Sequence, residues 1–408
     1  MSPVGSYESL MAAIQGGAGS VYFGVGKLNM RSRSSVNFTL DDLAKITAIC
    51  RENEVNSYLT LNTVIYDNEI EEIHQIIDAA KLHGVTAIIG SDLAVLDYAS
   101  QVGMEIHIST QCNITNISAV RFYSRYADVM VTARELSLGQ VAEITRQIKE
   151  QDIRGPKGEL IRIEVFVHGA LCMAVSGKCY LSLHNHQSSA NRGACLQDCR
   201  RKYIVKDKET DMELEIDNEY IMSPKDLKTI HILDKVLNAG IKVLKIEGRG
   251  RSAEYVKSVT ECYREAVEAW QDGSFTPEKI EKWDARLSKV YNRGFWEGYY
   301  LGKELGEWSP VHGSLATEKK LYVGVVANYF SKLKIAHIRL DTQELEIGDK
   351  IQIIGPTTGV YEAFITEMVN DNIPVSRAVK GDHPTFPVTM ALRKNDKVYK
   401  VVPAQPHA

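Results

Sequence analysis

EIEEIHQIIDAAKLHGVTAIIGS, residues 69–91, joins a helix pattern to a strand pattern within one short run. Over 69–84 isoleucine and alanine recur at helical spacing, and Gly84 supplies a C-cap. TAIIGS (86–91) is then near-continuously apolar, as a strand covered on both faces should be. The alternation extends from about residue 18 to residue 250. Further strands are predicted at SVYFGV (20–25), NSYLTLNT (56–63), EIHIST (105–110), DVMVTA (128–133), RIEVFVHG (162–169) and KVLKIEG (242–248). LDDLAKITAICRENE (40–54) is another of the helices between them. Such alternation predicts an α/β fold with a parallel sheet, whose commonest closed form is a TIM-like (β/α)8 barrel. Only seven strands are visible, so a first strand before SPVGSYESL is expected to be missing and the barrel open near residue 1.

A chain of 408 residues is long enough for about two to three domains. The barrel is assigned to 1–250, with a cysteine-rich insertion at about 170–222. SAEYVKSVTECYREAVEAWQDG (252–273) and TPEKIEKWDARLSKVYNRG (276–294) are amphipathic, with Thr276 and Pro277 opening the second, and give a helical extension over 251–312. From 320 to 403 short alternating runs such as LYVGVVANYF and KIQIIGP predict a small antiparallel β-barrel resembling domain 2 of elongation factor Tu.

The formal charge of −4 carries no whole-chain signature of nucleic-acid binding, so any RNA contact must be local. MRSRS (30–34), CRRKY (199–203) and EGRGR (247–251) are the local basic runs, each of which by itself reads as a solvated loop. No stretch approaches the ~20 apolar residues of a membrane helix. MSPVGSYESLMAAIQ (1–15) lacks the charged-then-apolar pattern of an export signal, and a cytoplasmic protein is expected.

Four of the seven cysteines fall in HGALCMAVSGKCYLSLHNHQSSANRGACLQDCRRKY (168–203), spaced C-x6-C-x15-C-x3-C. In a reducing compartment such a cluster points to a metal site more than to disulfides. Cys172, Cys179, Cys195 and Cys199 suit either zinc or an iron–sulfur cluster, and the absence of a C-x2-C knuckle tilts the choice toward iron–sulfur. Cys50 and Cys262 lie inside helix patterns and read as small core residues. Walker, HExxH and G-x-S-x-G motifs are absent. The predicted strands end in polar groups, among them Asn29, Arg31, Asn62, Gln111, Arg134, His168, Glu247 and Arg249. In a barrel these ends form one mouth, where chemistry gathers.

EVFVHGALCMAVSGKCYLS (164–182) resembles the signature of the collagenase-like peptidases, peptidase family U-32. YFGVGKLNMRSRSSVNF (22–38), STQCNITN (109–116), NRGACLQDCRRKY (191–203), SPKDL (223–227), KIEGR (245–249) and YNRGFWEGY (291–299) resemble further family blocks in order, so the likeness spans nearly the whole chain. Some members of the family are described as collagen-degrading proteases. Others resemble RNA hydroxylases that carry a 4Fe–4S cluster and work without O2. The subgroup with KIEGR and a C-terminal barrel is similar to prephenate-dependent tRNA uridine hydroxylases. The resemblance implies Cys172, Cys179 and Cys195 as cluster ligands, and Cys199 is taken as the fourth. It further implies tRNA as partner and a prephenate-like carboxylate as oxygen donor. On this reading Glu247, Arg249 and Gln111 are the expected catalytic residues, and Asn29, Arg31, Asn62 and His168 the substrate-binding ones. The alternatives are a collagenase-like peptidase and a non-catalytic RNA-binding module stabilised by zinc.

Overall fold

The computed structural model describes residues 1–33, 37–201, 222–302, 306–310 and 313–404. The first half of the expected insertion therefore lies inside the described residues, while 202–221, with Lys202 and Tyr203 of the CRRKY run, and Ser34 of the MRSRS run lie outside them.

Helix α1 (Tyr7–Gln15) opens on Ser6, whose hydroxyl accepts from the Ser9 amide. Helices α2 (Asp42–Glu52), α3 (Ile70–Leu82), α4 (Leu93–Gln101), α5 (Ile117–Tyr123) and α6 (Leu138–Glu150) follow in the loops between strands. In α3 the buried residues are Ile73, Ile76, Ile77 and Ala80, one face at three-and-four spacing, and the chain turns out through Gly84 at φ 75°. The strands are β1 (Ser2–Pro3), β2 (Ser20–Phe23), β3 (Asn56–Leu61), β4 (Ala87–Gly90), β5 (Glu105–Ile108), β6 (Val129–Val131), β7 (Arg162–Gly169), β8 (Asp226–Lys228), β9 (Val243–Ile246) and β10 (Phe295–Trp296). β1 to β7 pair in sequence order, all parallel, and β9 pairs parallel with β7. All seven predicted strands are present.

The open flank expected near residue 1 is not found, and the first strand is not missing. Ser2 and Pro3 pair with Val21 and Tyr22. The Met1 ammonium donates to the Leu244 carbonyl at 2.7 Å, and the Ile246 amide donates to the Met1 carbonyl at 3.1 Å. These bonds tie the first strand of the parallel run to its last, β9. Two residues, one of them proline, show no periodicity, which is why this strand is silent in the sequence.

Beyond the run, β8 lies antiparallel on the end of β7, and β10 pairs parallel with β8. Helix α7 (Leu181–His186) lies in the cysteine-rich segment and α8 (Leu233–Asn238) precedes β9. Helices α9 (Ala253–Gln271) and α10 (Pro277–Leu287) do not form a core of their own. Val256, Val259, Cys262 and Trp283 belong to the same buried cluster as the parallel sheet. Cys50 is buried there too, as its helix pattern predicts.

The C-terminal region has its own core, with Val323, Val326, Ile338, Ile351, Ile353 and Val398 at its centre. Its longest strand is β11 (Glu318–Phe330), which pairs with β12 (Ile335–Leu340) in an antiparallel sheet of eight strands. The antiparallel sheet expected here is present, beside a two-stranded ribbon; among the described residues its ladder runs from Gly359–Phe364 at one end to Ile373–Pro374 at the other. Gln15 of α1 anchors this region to the first, donating to the Thr358 carbonyl at 2.9 Å and accepting from the Val360 amide at 3.0 Å.

Candidate active site

The chain leaves β7 at Gly169 (φ 106°), where a Cβ would stand 2.4 Å from the Glu247 carbonyl; only glycine fits so close to the neighbouring strand end. The segment that follows is held down at both ends. Arg200 donates to the carbonyls of Leu171 and Pro224, each at 2.6 Å, and to the Ser223 hydroxyl at 2.9 Å. Gly193 (φ 75°) lies against the chain at 29–32, where a Cβ would meet the Asn29 carbonyl at 2.2 Å. Between these anchors the segment folds over the strand ends and walls a cavity of about 190 Å³.

Cys172, Cys179, Cys195 and Cys199 all line this cavity, with Gln111, Arg31 and Glu247 opposite them. All four are free thiols. Burial raises the Cys179 thiol above its ordinary value and pushes Cys199 up to about 11, and in both the neighbouring cysteines add to the rise. As arranged, no three His, Cys, Asp or Glu side chains among the described residues stand close enough to hold a metal ion. The donor set still suits a sulfur-ligated group. Four soft donors face one space, and a group binding there would have to displace their protons and draw the segment inward. Cys112 does not line the cavity; its thiol donates to the Ser91 carbonyl at 3.6 Å.

Among the described residues the charge in the cavity comes from five arginines, Arg31, Arg134, Arg200, Arg251 and Arg293, against the single lining carboxylate of Glu247. Arg31 grips Glu247 Oε1 through Nη2 at 2.7 Å and Nε at 3.1 Å, and Arg134 stands 4.0 Å from Oε2. Burial alone would raise the Glu247 carboxyl, but Arg31 and Arg134 outweigh it and hold it at about 2. Arg251 and Arg293 share Asp226, at 3.9 and 3.4 Å, and Arg251 lies over the Tyr291 ring at 3.7 Å.

The other expected site residues form a layer behind the wall. Arg249 is buried and donates to Thr60 Oγ1 and Asn29 Oδ1, each at 2.9 Å; burial lowers its guanidinium to about 10. The same Asn29 oxygen accepts from the Arg31 amide, which orients the loop that carries Arg31. Asn62 accepts from the Met30 amide at 3.2 Å and donates to Ser109 Oγ at 3.3 Å. None of these three lines the cavity.

His168, expected to bind substrate, is 1 % exposed and packs among Tyr255, Tyr263 and Phe295 instead. A register shift between Phe166 and His168, where β7 sets two residues against one of β9, breaks the alternation and turns the His168 side chain toward the helices. Burial lowers its imidazole to about 3, so it stays neutral in the fold. An unfolded chain takes up a proton below the ordinary 6.5, so stability is expected to fall as pH drops through 6.5 toward about 3. Glu247 adds a second loss as pH drops from the ordinary 4.5 toward about 2. In thermal unfolding, His168→Phe should flatten the curve between 6.5 and 4.5 and leave only the shallower Glu247 loss below 4.5. Equal slopes in the two proteins would rule out a buried neutral imidazole.

Arg293 and Arg251 are the site residues that sequence reasoning did not single out. Arg251 was visible only as one member of the EGRGR run, and Arg293 reaches the site because β10 pairs with β8.

A family model described as peptidase family U32 matches residues 5–310. The chain belongs to peptidase family U32. A relative from Porphyromonas gingivalis named collagenase is 56 % identical over 98 % of this chain and 97 % of its own length. A Bacillus subtilis relative named tRNA hydroxylation protein P1 is 31 % identical over 87 % of this chain and 83 % of its own. An Escherichia coli relative, a 23S rRNA 5-hydroxycytidine synthase, is 33 % identical over 66 % of this chain and 39 % of its own length. The U32 fold thus places these names on chains related to this one along most of its length. No helix among the described residues is long and apolar enough to cross a membrane.

Proposed function

We propose that this U32 protein is an RNA-modifying enzyme that hydroxylates a pyrimidine, with a tRNA uridine as substrate and 5-hydroxyuridine as product. The observation that carries the reading is one cavity that combines four thiols with five arginines and a single carboxylate. The RNA-hydroxylation names of two relatives support it. Cys172, Cys179, Cys195 and Cys199 would hold a 4Fe–4S cluster, with zinc as the alternative occupant. Such a cluster, when bound, supplies redox or Lewis-acid chemistry that no side chain of the cavity offers. The excess of arginine offsets the negative charge of cysteine ligands and anionic substrates.

Glu247 remains ionised at neutral pH, so it does not serve as a proton donor there; it holds the Arg31 fork in place. Gln111 lines the cavity, and its buried amide oxygen, packed against Gly177, has no hydrogen-bond partner among the described residues; a shift of that segment would make it an acceptor for a pyrimidine N–H. Arg251 and Arg293, two cations on one aspartate, suit a carboxylate-bearing oxygen donor such as prephenate. The strand run whose ends meet at Met1 fits a (β/α)8-type barrel with this cavity at its C-terminal mouth.

A peptidase is the second reading, favoured by the collagenase name of the 56 % identical relative. It requires an activated nucleophile, or a metal with an open position and a base. His168 is occupied in packing, and among the described residues no hydrogen bond joins His186, which pairs with Asp198 at 3.2 Å, to a cavity cysteine. Protein purified without air is expected to be brown and to hold iron and sulfide in equal amounts, and tRNA from a deletion strain should lack 5-hydroxyuridine derivatives. Colourless protein holding zinc, an unchanged nucleoside profile, or cleavage of denatured collagen lost on Cys172→Ala would overturn the proposal.

A further inference from the structure

A second groove, of about 370 Å³, opens beside the cysteine cavity and is built from the same two chain segments. Arg31 and Cys195 face the cavity, whereas Ser32, Arg33, Ser188, Ser189 and Arg192 line the groove. The segments are stitched together by the Arg33 amide donating to the Gly193 carbonyl at 3.4 Å. With Lys27 the groove carries three cations, and no carboxylate lines it. Glu72 meets Lys27 at 3.2 Å, and Glu69 neutralises Arg192. Arg33 is exposed and has no carboxylate partner among the described residues; its Nη1 donates to the Ser188 hydroxyl at 3.4 Å. At the groove's edge the Arg192 guanidinium lies 4.4 Å over the ring of Tyr66, which is 55 % exposed.

The Ser188 and Ser32 hydroxyls donate to the Ala194 and Arg192 carbonyls, which among the described residues leaves Arg33 as the free cation; a lining cation without a carboxylate partner and an exposed ring already stacked on arginine are features that hold a single-stranded nucleic-acid backbone. An acidic protein segment would use the charge but not the ring. We infer that this groove is the track for the phosphodiester backbone of the RNA substrate, with Arg33 on a phosphate and Tyr66 stacking a nucleotide next to the target base. The inference rests on the RNA reading above and adds the route by which the strand reaches the cavity.

The test is fluorescence anisotropy of the full-length protein with an unmodified tRNA transcript and a uridine oligomer over a salt series. Arg33→Ala is expected to weaken binding several-fold and to flatten the log–log salt slope by about 0.7 for one single-strand phosphate contact. Arg33→Glu should weaken it further. Tyr66→Ala should cost the oligomer about tenfold with the slope unchanged, as lost stacking does. Lys149→Ala, exposed on α6, is the control and should change neither quantity. Circular dichroism establishes that each variant is folded. Wild-type slope and affinity in Arg33→Ala, or equal losses in the Lys149 control, would overturn the track while leaving the RNA reading standing. Wild-type protein that binds neither probe would overturn both.

Discussion

Cys195→Ser protein, purified without air, is expected to retain at least about tenfold less iron than wild type and to form no hydroxylated nucleoside. Loss even of groups that merely orient a metal ligand costs about 10–100-fold in affinity, and loss of the ligand itself removes at least that much. Among the described residues no fifth cysteine lines the cavity to replace a lost thiol, because Cys112 faces the Ser91 carbonyl instead. Cys172→Ser and Cys179→Ser should behave alike, and Cys199→Ser tests whether the fourth ligand is correctly chosen. Cys262→Ser and Cys112→Ser supply the contrast, since Cys262 is buried in the core and neither lines the cavity. Iron measured per folded chain separates the two groups. Full iron in Cys195→Ser, or equal loss in Cys112→Ser, would remove the sulfur site from this cavity.

Lys245→Met is expected to lower stability by about 3–5 kcal/mol, the range for breaking a buried ion pair by removing one partner. Lys245 of β9 and Glu164 of β7 pair at 2.8 Å, with side chains 6 % and 0 % exposed. They lie on one face of adjacent parallel strands, and Lys245 also stands 4.8 Å over the Tyr22 ring. Methionine keeps the stem's bulk but leaves the Glu164 carboxylate buried without its counter-charge. Pairing it with Glu164→Leu removes that charge as well, and the double variant should recover most of the loss. Chemical denaturation of the three proteins checks this. A Lys245→Met protein as stable as wild type would mean that water or another cation reaches Glu164.

Both predictions concern residues whose types were legible in the sequence but whose surroundings were not. The cysteine spacing singled out four thiols, since such a density has few causes, and the structure brings all four to one wall. Glu247 was legible as a polar strand end, yet its clamp by Arg31 joins residues 216 positions apart. His168 shows the converse. A polar residue ending an apolar strand reads as part of the mouth, but the register shift at the end of β7 and the aromatic rings of α9 place it in the interior. Arg293 carried no local signal, because the pairing of β10 with β8 is what brings it near Asp226.

By itself the sequence determined the strand–helix alternation, the α/β class, the separate β-rich region after residue 320 and the cysteine set, because each is written in local periodicity or residue type. Only the tertiary structure decided that a two-residue strand ties to β9, that Gln15 of α1 anchors the C-terminal sheet, and that five arginines among the described residues line one cavity with Glu247. Those outcomes depend on backbone pairing and side-chain convergence between distant segments, and interactions of that kind leave no periodic trace along the chain.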